Sequence, residues 1–298
     1  MRLTVILFPL VTVLCAGLAG GTFETDDVLV TSFDGANTAQ YRNLALENEF
    51  DLASTEFWVS AAAHAGGDLV AVYRGPSSNA AVVSAAGNLI NSFAVSSFVP
   101  TDVDLLLDGT LAVAIQNTDR IELYSLAGLN IGFFQSTGGD GTFGIDVAPD
   151  GTLWAVNRNS TDVDHFAADG TELGTFALSF EPGDVAADPL DGSLWITQRD
   201  GNTLRHFTST GALINSFSTS VTGNFDGLAL TSDGTILVSG SGAAIVYRYA
   251  SDGATLGTFS LDAGSPPFRL NVVPEPSAAV GAVGALLTVL GLRRSRNG

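Results

Sequence analysis

One spacing, close to 42 residues, constrains this chain more than any other feature. Asp108-Gly109-Thr110, Asp150-Gly151-Thr152, Asp191-Gly192-Ser193 and Asp233-Gly234-Thr235 follow one another at steps of 42, 41 and 42 residues, and the column extends back through Gly66 to Thr25. A second column, Phe50, Phe93, Phe134, Phe176, Phe217 and Phe259, keeps the register. So does a third, Tyr41, Val83, Tyr124, Phe166, Phe207 and Tyr249. Three columns with one period over the whole body exclude chance similarity, and a period near 42 is that of propeller blades.

Each period reads as strand, turn, strand, loop, strand, turn, strand. In one unit these are Asp226 to Leu230, the turn at Asp233-Gly234, Ile236 to Ser239, Ala244 to Tyr249, the turn at Asp252-Gly253, and Thr255 to Leu261. Asp-Gly between apolar runs signals a hairpin, because glycine accepts the positive φ of a tight turn. No stretch of the body has the 3.6-residue periodicity of a helix of useful length. Four antiparallel strands per unit, repeated radially, predict an all-β fold, a β-propeller. The first unit starts at its second strand, since Val28 to Thr31 matches Ile236 to Ser239. Its missing innermost strand is supplied by Phe268 to Val273, which matches Phe143 to Ala148. Pairing the two ends in one blade closes a six-bladed ring over residues 25–273 and buries both open edges.

The run Gly144-Ile145-Asp146-Val147-Ala148-Pro149-Asp150-Gly151-Thr152-Leu153-Trp154-Ala155-Val156 resembles the repeat of NHL-type and gluconolactonase-like six-bladed propellers. The resemblance implies architecture and not chemistry.

The charge balance excludes one class of function. All 12 basic residues are arginines, and four of them, Arg2, Arg293, Arg294 and Arg296, lie in the terminal tails. Between Glu24 and Glu275, eight arginines face all 31 acids, a net charge of −23. Such a surface repels phosphate backbones, so no nucleic-acid partner is expected. It attracts cations or basic partners, or simply keeps the protein soluble in a salty medium.

The termini describe transport. Met1-Arg2, the apolar run Leu3 to Leu14 and the small residues Gly17-Leu18-Ala19 form a signal peptide over residues 1–19. The one cysteine, Cys15, lies inside it. Leu14 before it fits a lipoprotein cleavage site poorly, and the mature chain then has no cysteine and relies on packing alone. At the other end, Val273-Pro274-Glu275-Pro276-Ser277 precedes an apolar stretch to Leu292 and the cluster Arg293-Arg294-Ser295-Arg296. Sixteen residues from Ser277 make a helix of about 24 Å against a hydrocarbon core of about 30 Å, a short transmembrane helix with its arginines on the cytoplasmic side. The bare reading is an anchor with a proline linker.

This order of proline strip, short apolar helix and terminal arginine cluster over residues 274–298 resembles the PEP-CTERM sorting signal of Gram-negative bacteria. The resemblance implies an exosortase-type processing enzyme as partner, recognising Pro274, Glu275 and Pro276. The body would be tethered outside the inner membrane and then released or transferred to the envelope or the extracellular matrix.

Candidate site residues lie in the body. Asp104, Asp146, Asp184, Asp226 and Asn271 recur near the start of successive innermost strands, where side chains meet at the channel mouth. Hard oxygen donors suit calcium, and the other reading is that they accept backbone N–H bonds and hold one blade to the next. His165 and His206 share a column in adjacent blades and are too far apart for a common zinc, which leaves them packing roles. Trp154 and Trp195 share another column and are expected in the blade core, while His64 stands alone in an alanine-rich first strand. No Gly-x-Ser-x-Gly, phosphate loop, His-Glu-x-x-His or EF-hand loop occurs. A catalytic set needs different groups in different roles and would break the repeat. The sequence therefore predicts a non-catalytic binding or structural propeller with an envelope, protein or polysaccharide ligand. The alternative is an extracellular calcium-dependent propeller enzyme of lactonase or lyase type.

Overall fold

The computed structural model describes residues 22–32, 37–51, 57–63, 67–74, 79–96, 99–136, 141–261 and 267–274. The signal peptide, Glu275, Pro276, the apolar segment, Arg293, Arg294, Arg296 and His64 lie outside the described residues. Among those described, all regular structure is strand, 24 strands numbered β1 to β24 in chain order, and no helix is long and apolar enough to cross a membrane.

The strands form six four-stranded antiparallel sheets, a six-bladed β-propeller. The first blade pairs β24 (Pro267–Val272) with β1 (Val28–Ser32), followed by β2 (Asn37–Arg42) and β3 (Ala45–Asp51). The second to sixth blades are consecutive quartets. Their innermost strands are β4 (Phe57–Ala63), β8 (Pro100–Leu105), β12 (Thr142–Val147), β16 (Pro182–Ala187) and β20 (Phe225–Leu230). These five and β24 face one another around a central channel. The closing pair runs from Val28↔Val272 to Ser32↔Pro267 and is prolonged by Asp26 N–H to Val273 O and Val273 N–H to Asp27 O, both 2.9 Å. The C-terminal strand thus fills the place that the sequence left open in the first unit.

Local chemistry sets the turns. Gly151 takes φ 84°, and the Asp150 carboxylate accepts the Thr152 N–H at 3.0 Å, an arrangement repeated at Asp108, Asp191 and Asp233. The apolar core lies between blades. Trp154, Val156 and Val163 of the fourth blade bury against Val185, Leu194 and Ile196 of the fifth. Val28, Val30 and Tyr41 of the first blade pack likewise on Leu237, Val246 and Phe259 of the sixth. Burying leucine, valine and phenylalanine side chains contributes roughly 1.5–3 kcal/mol each, so the blade interfaces carry most of the stability.

Candidate functional site: the central channel

Strand pairing fixes which residues face each other around the channel. Asp102, Gly144, Asp184, Gly227 and Arg269 occupy equivalent positions on β8, β12, β16, β20 and β24, and Ser60 takes that position on β4. Two residues further along each strand comes a second layer: Ala62, Asp104, Asp146, Ala186, Ala229 and Asn271.

The first layer is filled by the chain's own cation. Arg269, 1% exposed, places Nη1 2.7 Å from Asp184 Oδ1 and 3.9 Å from Asp102 Oδ2. Its Nη2 and Nε donate to the carbonyls of Phe143 (2.7 Å) and Thr101 (3.3 Å), and its guanidinium lies 4.6 Å from the Phe143 ring centre. Burial opposes the Arg269 charge, but Asp102 and Asp184 outweigh it and hold its pKa above the usual value. Burial drives the Asp184 carboxyl up to about 7 while Arg269 pulls it down. The 2.7 Å contact and the two carbonyl acceptors make the ion pair the ground state. Gly144 makes room for it: a Cβ there would stand 2.4 Å from Asp184 Oδ1.

The carboxylates also join the blades. Asp102 Oδ2 accepts Ile145 N–H (2.9 Å), Asp104 Oδ2 accepts Val147 N–H (2.8 Å), Asp146 Oδ2 accepts Ala187 N–H (2.8 Å) and Asp184 Oδ2 accepts Leu228 N–H (3.0 Å). Each bond runs from one innermost strand to the next and satisfies a backbone donor that no sheet partner reaches.

From the first layer up through the second, a cavity of about 380 Å³ opens toward the turns that join first to second strands. Leu105, Leu107, Val147, Pro149, Pro189 and Leu230 contribute apolar wall; Asp104, Asp146 and Asn271 contribute polar lining, joined by Asp102 and Asp184 from the first layer and by Asp26 and Ser232 from the turns. Burial raises the Asp104 carboxyl to about 7, against N–H bonds from Val147 and Leu105. Burial, then the neighbouring Asp104, raises Asp146 well above the ordinary carboxylate range.

No protein-family model and no curated protein matches the sequence. Among solved structures the chain resembles a protein of unknown function from Bacteroides caccae (15% identity, TM-score 0.68, covering 85% of this chain and 100% of that one). It also resembles a chain of a nidogen/laminin complex (12%, 0.68, 85% and 98%). A third is virginiamycin B lyase from Staphylococcus aureus, solved as a catalytically inactive variant with Quinupristin (14%, 0.58, 70% and 72%). At these identities the likeness concerns the fold alone.

The five residues picked from sequence therefore do not form one ring. Asp104, Asp146 and Asn271 share the second layer, Asp184 belongs to the first, and Asp226 lies one position outside both layers and off the cavity lining. Asp226 is raised to about 6 by burial, with Arg269 and Ser241 opposing. As a calcium site the second layer is short of donors. The ion takes six to eight oxygens, whereas three residues face it and three of their carboxylate oxygens already accept N–H bonds. Sequence reasoning missed Asp102 and Arg269, which pairing register alone reveals.

His165 and His206 stack on Trp154 and Trp195 within their own blades, at 3.6 and 4.1 Å between ring centres, and both tryptophans are buried. Asp188, Asp191 and His206 bring ligand atoms within 4.8 Å of one another at the first turn of the fifth blade. Ser193 Oγ sits 2.5 Å from both Asp191 Oδ1 and His206 Nε2 and ties two of them into a hydrogen-bonded chain. The sequence signal for this group is the turn Asp188–Ser193, one residue longer than its counterparts.

Proposed function

We propose that this is an exported, non-catalytic binding propeller of the cell envelope or extracellular matrix, whose ligand enters the channel cavity. The observation that carries the reading is the division of labour in the channel. Its carboxylates hold blade to blade or pair with Arg269, and rising from them is an apolar-walled cavity inside the size range of small-molecule sites. The test is retention of the purified body on envelope and exopolysaccharide fractions, comparing wild type with Ala186→Phe, which fills the cavity from its alanine side. Ala186 is buried in the cluster of Trp195 and Leu228, so the variant should melt lower but cooperatively, and retention should fall at a temperature where both proteins are folded. Equal retention by both proteins would remove the cavity from the function.

Delivery by the signal peptide and release by an exosortase acting at Pro274, Glu275 and Pro276 belong to the same proposal. In support, Pro274 is exposed and directly follows Val273, the last residue held by the closing pair. In a host with the matching enzyme the extracellular protein should lack Arg293, Arg294 and Arg296. Replacing the strip by three alanines should leave full-length protein in the inner membrane. Mass spectrometry of the C-terminus decides between this and a plain anchor. The lactonase or lyase alternative predicts turnover that a chelator abolishes.

A further inference from the structure

We propose that the second channel layer is an ammonium site: the cavity binds ligands that present a primary amine on an apolar body, the amine seated among Asp104, Asp146 and Asn271. The inference rests on the binding role of the cavity and gives its ligand a chemistry.

The layer holds three polar and three alanine positions, with Ala62 between Asn271 and Asp104. Asp104 and Asp146 stand on neighbouring blades, Asn271 two blades away, and the other three positions are all alanine, Ala62, Ala186 and Ala229. An ammonium group carries three N–H donors, and the layer presents three side chains able to accept them. The alanines leave width for a hydrocarbon stem. The walls above, built from Leu105, Leu107, Pro149, Pro189 and Leu230, suit an aliphatic body, and the one carboxylate on the turn side, Asp26, accepts the N–H and O–H of Ser232. Among the described residues no basic side chain lines this cavity.

The layer beneath supplies the independent argument. There the same architecture, two aspartates projecting from innermost strands, is completed by a cation, Arg269 at 2.7 Å from Asp184. Two buried carboxylates without a cation repel each other, and the fold meets that problem once with its own guanidinium. One layer up it brings two carboxylates together again, adds a cavity open to solution, and provides no cation from the described chain. A ligand amine is the group that completes it. Calcium is the poorer occupant, because it takes six to eight oxygens and the layer offers three side chains, three of whose carboxylate oxygens already hold backbone N–H groups.

The test is calorimetric titration of the intact body with hexylammonium chloride, n-hexanol, hexyltrimethylammonium chloride and calcium chloride at pH 8. The proposal requires hexylammonium to bind at least tenfold more tightly than hexanol. Hexyltrimethylammonium, which has no N–H, should bind weakly, and calcium should not compete at millimolar concentration. Asp146→Asn should lose at least tenfold in hexylammonium affinity while melting cooperatively. The ligand comparison on wild-type protein stands even if that variant does not fold. Equal binding of hexanol and hexylammonium would overturn the ammonium site and leave the cavity as a binding site. Calcium displacing hexylammonium would overturn it in favour of a metal. Binding of none of the four would overturn both the site and the cavity's role.

Discussion

At the scale of single residues, Arg269 decides most. Removing it leaves Asp102 and Asp184 buried without a counter-charge, so Arg269→Ala should destabilise the propeller by about 3–5 kcal/mol in urea unfolding. Loss of less than 1 kcal/mol would mean the ion pair is not what holds the layer. Gly144→Ala acts on the same pair from the other side, and overpacking of this kind costs about 1–3 kcal/mol. The layer above carries a pH signature of unusual sign. Asp104 titrates at about 7 in the folded protein, facing Asp102, Asp146 and Asn271, and Asp146 is raised in the same sense, whereas an unfolded aspartate titrates near 4. Between about pH 4 and 7 the folded state therefore holds protons that the unfolded chain has lost. Stability falls as pH rises through that window, by roughly 1.4 kcal/mol per pH unit for each proton retained. Because the whole acidic surface pushes in the same direction, the measurement is a difference: Asp104→Asn should have a shallower loss of melting temperature between pH 5 and 7.5 than wild type. Parallel curves would show that Asp104 is ionised throughout.

At the scale of elements, the repeat was legible because each strand type keeps its own signal, and the channel layers were not because they depend on register. Counting back from the Asp-Gly turns reaches Asp104 and Asp146 in four residues but Asp184 and Asp226 in seven. The irregular pairing before the first layer is common to these blades and only the longer turn after β16 shifts the count, by one; Asp184 and Asp226 stand two and three positions before the second-layer residues Ala186 and Ala229. Aligning on the second strands instead sets Ala186 opposite Trp195 as Asp146 is opposite Trp154, which separates the layers. The outermost strands carry another regularity that composition concealed. In every blade the outer pair skips one residue, and the skipped residues are Glu47, Ile90, Ile131, Leu173, Ile214 and Leu256. The last five are exposed aliphatics that pattern reading would assign to a core. They are bulges on edge strands, which twist the edge away from pairing with another molecule. Ile131→Thr should therefore leave stability within about 0.5 kcal/mol, whereas deleting Ile131, which flattens the edge, should produce concentration-dependent association in light scattering. A deletion variant that stays monomeric would show that the bulge is incidental.

At the scale of the whole molecule, the ring exists only when β24 has joined β1. A variant ending at Ser265 lacks that strand and exposes β1 and the inner side of the first blade. It should aggregate rather than melt a few degrees lower, and a monomeric variant with an unchanged melting curve would count against closure by this strand. The antiparallel ladder also sets how the body responds to being pulled. Residues 22 and 274 leave from the same end of the closing pair, beside Asp26, Asp27 and Val273. Tension applied across the two tails therefore loads the hydrogen bonds one after another, from Asp26–Val273 inward, as a zipper, and not all at once as a shear. A propeller held by its own ends yields at its seam first, at low force, and its other five blades feel the load only after that seam has opened.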